Sequence, residues 1–356
     1  MTALPPGGCI GILGGGQLGR MMAMAAATLG FRCHIFAPET EAVAADVAAR
    51  ATRAGYDDEA ALAAFARDVD VVTCEFENVP AEALAFLERI RPVRPGPRAF
   101  AVAQDRLEEK RFVEALGGQV APYARVDDLA DLEAGIERLG LPAILKTRRL
   151  GYDGKGQARI ASPADAPAAL AALGGRDLLL EGWVAFDREF SILLARGLDG
   201  SEAHYPPVEN RHEGGILSES RAPAEGLAAA DMAAATALAI RIADALDYVG
   251  VLACEFFAGA SGPVFNEMAP RVHNSGHWTI EGAVTSQFEQ HVRAIGGLPL
   301  GATDMPGRRV RMINILGDKV HEAQAFLVHP HAHLHLYGKR EAAPGRKMGH
   351  VTFVTG

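Results

Sequence analysis

Apolar and polar positions change period in blocks along this chain, and each block predicts an element. "CIGILGG" is a short apolar run stopped by glycines, as a buried strand is, and "QLGRMMAMAAATLG" then spaces apolar residues as a helix would. "RCHIF" and "VDVVTCEF" read as further strands, with "DEAALAAFARD" between them as a helix. Strand and helix alternating at this pitch predict a parallel α/β unit with right-handed crossovers. The Pro-rich "RPVRPGPRAF" punctuates the chain near residue 95 as a domain boundary. Beyond it "QDRLEEKRFVEALGG" is a helix, "LPAILK" opens a new sheet, and "DLLLEGWV" and "EFSILLAR" alternate like antiparallel strands. "HYPPVENRHEGGIL" reads as a loop-rich insertion, and "AAADMAAATALAIRIADALDYVG" as a long helix feeding the strands "VLACEFFAG" and "GPVFNEMAP". A small third region carries "RVRMINIL", "HLHLYGK" and "GRKMGHVTFV".

Composition narrows the class. A length of 356 residues predicts two or three domains sharing a cleft, and 49% hydrophobic with 22% charged residues suits a soluble globular protein. No apolar run is long enough for a membrane span, and "MTALPPGGCIGILGGG" lacks the positive flank of a signal peptide. Cys9, Cys33, Cys74 and Cys254 show no CxxC spacing, so free thiols in a reducing cytoplasm are expected. A formal charge of −9 argues against non-specific nucleic-acid binding. An anionic ligand must therefore be held by local basic clusters.

Three stretches carry candidate chemistry. Gly14-x-Gly16-x-x-Gly19 follows a strand, and Glu39 lies 20 residues beyond, where a dinucleotide site keeps its ribose acid. The other reading is a helix N-terminus approached by any phosphate or polar ligand. Nothing downstream resembles a dehydrogenase's catalytic pair. Glu255 and Glu267 lie 12 residues apart on neighbouring strands joined by "AGASGP", with Asn266 beside them. Carboxylates plus an amide oxygen are hard ligands suited to Mg²⁺ that also touches phosphates, and unpaired charges in such apolar surroundings would be costly. Lys146 ends an apolar strand just before "RRLGYDGKGQARI", where Gly151, Gly154 and Gly156 sit among Arg148, Arg149, Lys155 and Arg159. Such a loop can aim backbone N–H groups at phosphate oxygens and close over them.

A basic strand, a glycine-rich lid and an acid pair on a hairpin outline the ATP-grasp fold. "GGGQLGRM", "EFENVP", "GYDGKGQ", "NEMAPRVHNSGHWT", "HLHLYGK" and "PGRKMGHV" together resemble the 5-(carboxyamino)imidazole ribonucleotide synthase family of purine biosynthesis, over nearly the whole chain. The resemblance implies an α/β ATP-grasp fold with an N-terminal Rossmann-like parallel domain and a small C-terminal domain. Its boundaries would fall at 1–99, 100–298 with a lid subdomain about 120–185, and 299–356. It implies a cytoplasmic homodimer using ATP, bicarbonate and 5-aminoimidazole ribonucleotide. ATP would phosphorylate bicarbonate to carboxyphosphate, which yields CO₂ in place for attack by the ribonucleotide's exocyclic amine.

By similarity Arg106, Lys146, Gly151, Tyr152, Asp153, Gly154, Lys155, Gly156 and Gln157 would contact ATP, as would Asn266 and Glu267. Glu181, Gly182, Trp183 and Val184 would present backbone to adenine, Glu189 would accept from the ribose, and His212 would lie against the nucleotide. Glu255 and Glu267 would hold Mg²⁺. Arg271 is suited to bidentate binding of bicarbonate or carboxyphosphate, while His273 either orients it or moves a proton. Lys339 joins them as a catalytic group. Lys339, Arg340, Arg346 and Lys347 would clamp the ribonucleotide phosphate, with Gln17 and Arg20 from the first helix. Glu75 would meet its ribose or amine, and Tyr152 and Asp153 would also touch this substrate. His329, His331, His333 and His335 alternate, which predicts one polar strand face with Leu334 and Leu336 buried; a transition-metal site there lacks a completing acid or thiol. A nicotinamide oxidoreductase and a non-catalytic nucleotide-binding module remain as alternatives at this point.

Overall fold

The computed structural model describes residues 3–151, 154–307 and 309–356. Among them the strands form three sheets. The first is parallel and four-stranded, in the order Arg50–Thr52, Arg32–Phe36, Cys9–Leu13, Val71–Cys74. Its strands read as continuous apolar runs because helices cover both faces, and Ile10, Ile12, Ile35 and Val71 are fully buried. Gln17–Thr28 and Glu59–Arg67 are two of those helices.

The second sheet is antiparallel, in the order Tyr123–Val126, Leu178–Gly182, Ala143–Thr147, Gln157–Ile160. The helix Leu129–Leu139 turns Leu132 and Ile136 onto its inner face, beside Leu145 and Leu180. The third sheet is the framework of the site. It has nine strands, running Gly262–Ala269, Gly250–Gly259, Arg188–Arg196, Val208–Glu213, Ile216–Ala222, Arg309–Leu316, Lys347–Thr355, Ala332–Leu336, with Glu202–His204 paired beside Arg188–Arg196. The helix Ala229–Ala245 covers one end, where Phe190 stacks on Phe256 at 5.4 Å. The C-terminal strands thus continue the same sheet through the pairing of Ile216–Ala222 with Arg309–Leu316.

Two sequence expectations are corrected. The stretch 204–217 is not a loop-rich insertion but carries most of a hairpin in the middle of that sheet. Its polar residues disguised it. Asn210 is buried, yet its amide donates to Ser191 Oγ at 2.6 Å and accepts from Ser220 Oγ at 2.9 Å, so the three strands satisfy one another. Gly214 and Gly215 make the turn at φ 59° and 81°. The four alternating histidines do not share a strand face either. The strand begins only at Ala332, past Pro330, so just His333 and His335 lie on it. His335 packs inward, stacked on His350 at 4.5 Å and bonded to Glu281 at 2.6 Å, while Leu336 on this edge strand is 40% exposed. All four cysteines are free, as expected.

Candidate active site

A cleft of about 760 Å³ opens where the three sheets meet. One wall is the end of the parallel sheet. Glu75 follows the strand Val71–Cys74 and turns back onto the first helix, accepting from Gly16 N at 2.8 Å and Gly19 N at 3.2 Å. A Cβ on Gly16 would come 2.5 Å from Glu75 Oε1, and Gly14 turns the chain at φ 101°. The anion at this helix N-terminus is therefore the protein's own carboxylate. That corrects the dinucleotide reading: the fingerprint's glycines are filled by Glu75, and Glu39 is exposed. Burial pushes the Glu75 carboxyl up, against the pull of the Gly16 and Gly19 N–H groups and of Arg271.

The opposite wall carries the acid pair. Glu255 and Glu267 are direct partners across the hairpin, and a β-bulge leaves Asn266 without a pair beside them. Arg106 Nη1 bonds Glu267 Oε2 at 3.1 Å, and His273 Nδ1 lies 3.6 Å from Glu255 Oε1. Burial and then the Glu267 charge raise the Glu255 carboxyl; burial also opposes ionisation of Glu267, but Arg106 and Lys146 pull it below the usual range. Two facing carboxylates on a cleft wall fit Mg²⁺, which keeps waters and substrate phosphates rather than a full protein cage. No group of three metal-ligating His, Cys, Asp or Glu side chains occurs among the described residues. Glu109, which the sequence reading missed, accepts from Met268 N at 2.7 Å, and burial lifts its carboxyl to about 8.

Lys146 reaches Glu181 at 2.6 Å, and Lys110, only 1% exposed, reaches the same carboxylate at 2.9 Å. Against the cost of burial, Lys146 and Lys110 hold Glu181 down at about 2. Removing one partner from such a buried cluster costs about 3–5 kcal/mol, so it stands with or without a ligand. Arg148 and Arg149 both bind Asp105, the N-cap of the helix Arg106–Ala115, which roots the glycine loop. Within that loop Gly151 and Lys155 line the cleft, and a Cβ on Gly154 would meet Gly214 O at 2.9 Å. Gly156 packs on Thr147 and Gln157 opens a strand. Tyr152 and Asp153 lie outside the described residues. Gly182 N donates to Pro122 O at 2.8 Å, Trp183 is exposed under Arg159, and Val184 is half-buried. His212 pairs with Glu189; burial works against its charge, but Glu189 and Glu255 raise it. The group Lys146, Glu181–Val184, Glu189 and His212 does not line the cleft itself, yet Lys146 and His212 both act on Glu267.

Arg271 and His273 join the two walls. Glu77, a residue unremarked in the sequence, takes Arg271 Nε at 2.6 Å, while Arg271 Nη1 donates to Val272 O at 3.0 Å. Ser275 N donates to His273 Nδ1 at 3.3 Å, which favours the tautomer with its proton on Nε2. Burial and Arg271 keep it well below the ordinary histidine range. Asn274 is 7% exposed, lines the cleft, and has no partner for either amide atom among the described residues. Gln17, Lys339, Arg346 and Lys347 line the far end. Lys339 Nζ donates to Lys347 O at 2.8 Å, and burial, then Arg346, lower it to about 8. Arg346 bonds Glu41 at 2.9 Å, and Arg340 N also donates to Glu41. Arg20 stands outside the lining, held by Val43 O at 3.0 Å and Asp46 at 3.5 Å.

Three family models match successive parts of the chain: a ribonucleotide synthetase preATP-grasp domain at residues 8–104, an ATP-grasp domain at 111–288, and a phosphoribosylaminoimidazole carboxylase C-terminal domain at 311–356. The N5-carboxyaminoimidazole ribonucleotide synthase of Brucella melitensis biotype 1 is 49% identical over 99% of this chain and 97% of its own. The crystal structure of N5-carboxyaminoimidazole ribonucleotide synthetase from Thermus thermophilus is 52% identical, with a TM-score of 0.91, over 97% of this chain and 93% of that one. The Aspergillus clavatus N5-carboxyaminoimidazole synthase, solved in complex with ADP and 5-aminoimidazole ribonucleotide, is 32% identical with a TM-score of 0.92, over 98% and 94%. With likeness at this level over almost the full length of both partners, the chain belongs to the N5-carboxyaminoimidazole ribonucleotide synthase family of the ATP-grasp fold.

Proposed function

We propose that this cleft carries out the ATP-dependent carboxylation of 5-aminoimidazole ribonucleotide with bicarbonate, a ligase step of purine biosynthesis. The observation that carries the reading is the division of one cleft into an acid-pair end and a Glu75–Lys339 end, bridged by Arg271, His273 and Asn274. A bicarbonate oxygen attacks the γ-phosphorus of ATP, the bond to the β–γ bridging oxygen breaks, and ADP leaves. The carboxyphosphate loses phosphate to give CO₂, and the exocyclic amine adds to it with loss of one proton.

Glu255, Glu267 and Asn266 would hold Mg²⁺, which when bound neutralises charge on the phosphates. Arg106, Lys146 and the 151–157 loop serve the ATP end, and the loop keeps water from the acyl phosphate. Glu181–Val184, Glu189 and His212 take the adenosine. Arg271, steadied by Glu77, binds bicarbonate and then carboxyphosphate. His273, neutral and protonated on Nε2, donates a hydrogen bond rather than removing a proton. Asn274 offers both edges of its amide to the same group, which would satisfy atoms otherwise unpaired. Gln17, Lys339, Arg346 and Lys347 hold the ribonucleotide phosphate, Arg20 stands behind them, and Glu75 accepts from the amine. Tyr152 and Asp153 serve both substrates. The proposal includes the division 1–99, 100–298 and 299–356 and, on family resemblance alone, a cytoplasmic homodimer.

The test is ADP release measured with bicarbonate and 5-aminoimidazole ribonucleotide supplied separately and together, with the carbamate product followed alongside. Carbamate should form only when both are present. ADP formation at full rate without either one would contradict the reading.

A further inference from the structure

We infer that Gln287 is the positioning residue that sets His273 for the reaction, by pairing the His273 backbone as a neighbouring β-strand would. The inference rests on the role of His273 given above. Gln287 opens the helix Gln287–Gly296, is fully buried, and lies outside the residues lining the cleft. Its Oε1 accepts from His273 N at 2.9 Å, and its Nε2 donates to His273 O at 2.6 Å. The same Nε2 lies 3.2 Å from His277 Nδ1. Its backbone N–H donates to Thr279 Oγ1 at 2.9 Å, and that hydroxyl donates to Gly276 O at 2.6 Å. Gly276 clears the space, since a Cβ there would come 2.4 Å from Gln287 Oε1.

The need for such a clamp follows from topology. The chain leaves the sheet after Ala269, and His273 is extended, at φ −128° and ψ 154°, with no strand of its own to pair with. Without Gln287 the buried His273 N–H would lose its partner, while His273 O would still accept from Gly276 N at 3.0 Å. An amide carries donor and acceptor on one fork and can satisfy both at once. The ring then follows the backbone: Ser275 N–H donates to Nδ1 at 3.3 Å, and the same Nδ1 lies 2.8 Å from Ser275 Oγ and 3.6 Å from Glu255.

Gln287→Glu tests this with the same shape. Ionised, the new carboxyl still accepts from His273 N but presents a negative oxygen to His273 O. Protonated, it restores both bonds. Burial raises a carboxyl, so the working form returns as pH falls. The titratable and charged groups around it are His273 and His277 in contact, His350 packed against His277 with His335 stacked on it, Tyr337 and Glu281 bonded to those two, Arg271 on the clamped segment, Lys347 acting on both His273 and His277, and Glu255 at 3.6 Å from His273. Burial keeps His273, His277 and His350 well below the ordinary range, and comparison with wild type at each pH cancels what the two proteins share.

At pH 8 the variant should lose on the order of 10²-fold in kcat, the usual consequence of a small misplacement, with KM for ATP nearly unchanged. The deficit should shrink at least about tenfold by pH 6 as the carboxyl is protonated. A deficit that ignores pH would make Gln287 structural only and overturn the inference. So would wild-type kcat at every pH in Gln287→Glu while His273→Ala is inactive. Full turnover by His273→Ala would instead overturn the role of His273, and with it any positioning of that residue.

Discussion

Two glycine-rich loops at opposite sides of the cleft look alike in sequence and differ in what they meet. The loop at Gly14–Gly19 closes tightly on Glu75, so its helix N-terminus is already filled by a negative group from the same chain. The loop at Gly151–Gln157 is rooted by Arg148 and Arg149 on Asp105, sends Gly151 and Lys155 to the cleft, and touches the hairpin turn at Gly214. Glycine spacing records how closely something approaches the backbone. It does not say whether that partner is a phosphate or a carboxylate.

The largest break in the comparison is Glu267→Gln, which removes the charge facing Glu255 at the ATP end. Turnover should fall by on the order of 10³-fold, because metal-assisted charge stabilisation supplies several kcal/mol. The melting temperature should hold within a few degrees, and an active variant at ordinary Mg²⁺ would detach the acid pair from the chemistry.

Glu75→Gln attacks the other side. The amide keeps one oxygen for Gly16 N but brings an NH₂ against Gly19 N, and kcat/KM for the ribonucleotide should drop about 10–100-fold, the range for an unpaired buried polar contact. KM for ATP should stay put. Equal effects on both substrates would dissolve the distinction between the two ends.

A third test uses pH. Lys339 sits low, at about 8, because burial and Arg346 disfavour its charge. A lysine is cationic below its pKa, so kcat/KM for the ribonucleotide should be steady up to about 8 and decline above it. Lys339→Arg, always charged, should remove the decline. A flat wild-type profile to about pH 9.5 would take the phosphate away from Lys339.

The smallest effect is expected from Arg149→Ala. Its buried partner Asp105 keeps Arg148, and Arg149 itself is largely in solvent, where such a pair contributes about 0–1 kcal/mol, so KM for ATP should move less than about fivefold. A larger change would mean that Arg149 faces the phosphates.

Much of this arrangement was legible in the sequence. The 12-residue spacing of Glu255 and Glu267 put them opposite each other on a hairpin, and the alternation of strand and helix before residue 95 gave the parallel sheet. The hairpin at 208–222 was hidden because polar Asn210, Glu219 and Ser220 are buried among its apolar positions, and Asn210 is satisfied only by neighbours such as Ser191, a pairing no local pattern reveals. Glu77, Glu109 and Gln287 were missed for the same reason: their partners Arg271, Met268 and His273 are remote in the chain. Lys110 did leave a signal. It stands three residues from Leu107 and three from Val113, on the stripe that faces the core.

On the proposed function, the first glycine loop serves the ribonucleotide through Glu75 while the second serves ATP. The direct measurement is calorimetric titration of Gly16→Ala and Gly154→Ala with a non-hydrolysable ATP analogue, and with 5-aminoimidazole ribonucleotide at saturating analogue. Gly16 has an ordinary φ of −81°, so alanine there acts only by its Cβ, 2.5 Å from Glu75 Oε1; Gly154 adds the strain of φ 75°. Gly16→Ala should weaken ribonucleotide binding about tenfold or more and leave the analogue's affinity unchanged, as the displacement of one buried charged contact implies. Gly154→Ala should do the reverse, by a few-fold. Loss of analogue binding in Gly16→Ala, with the ribonucleotide unaffected, would contradict the claim.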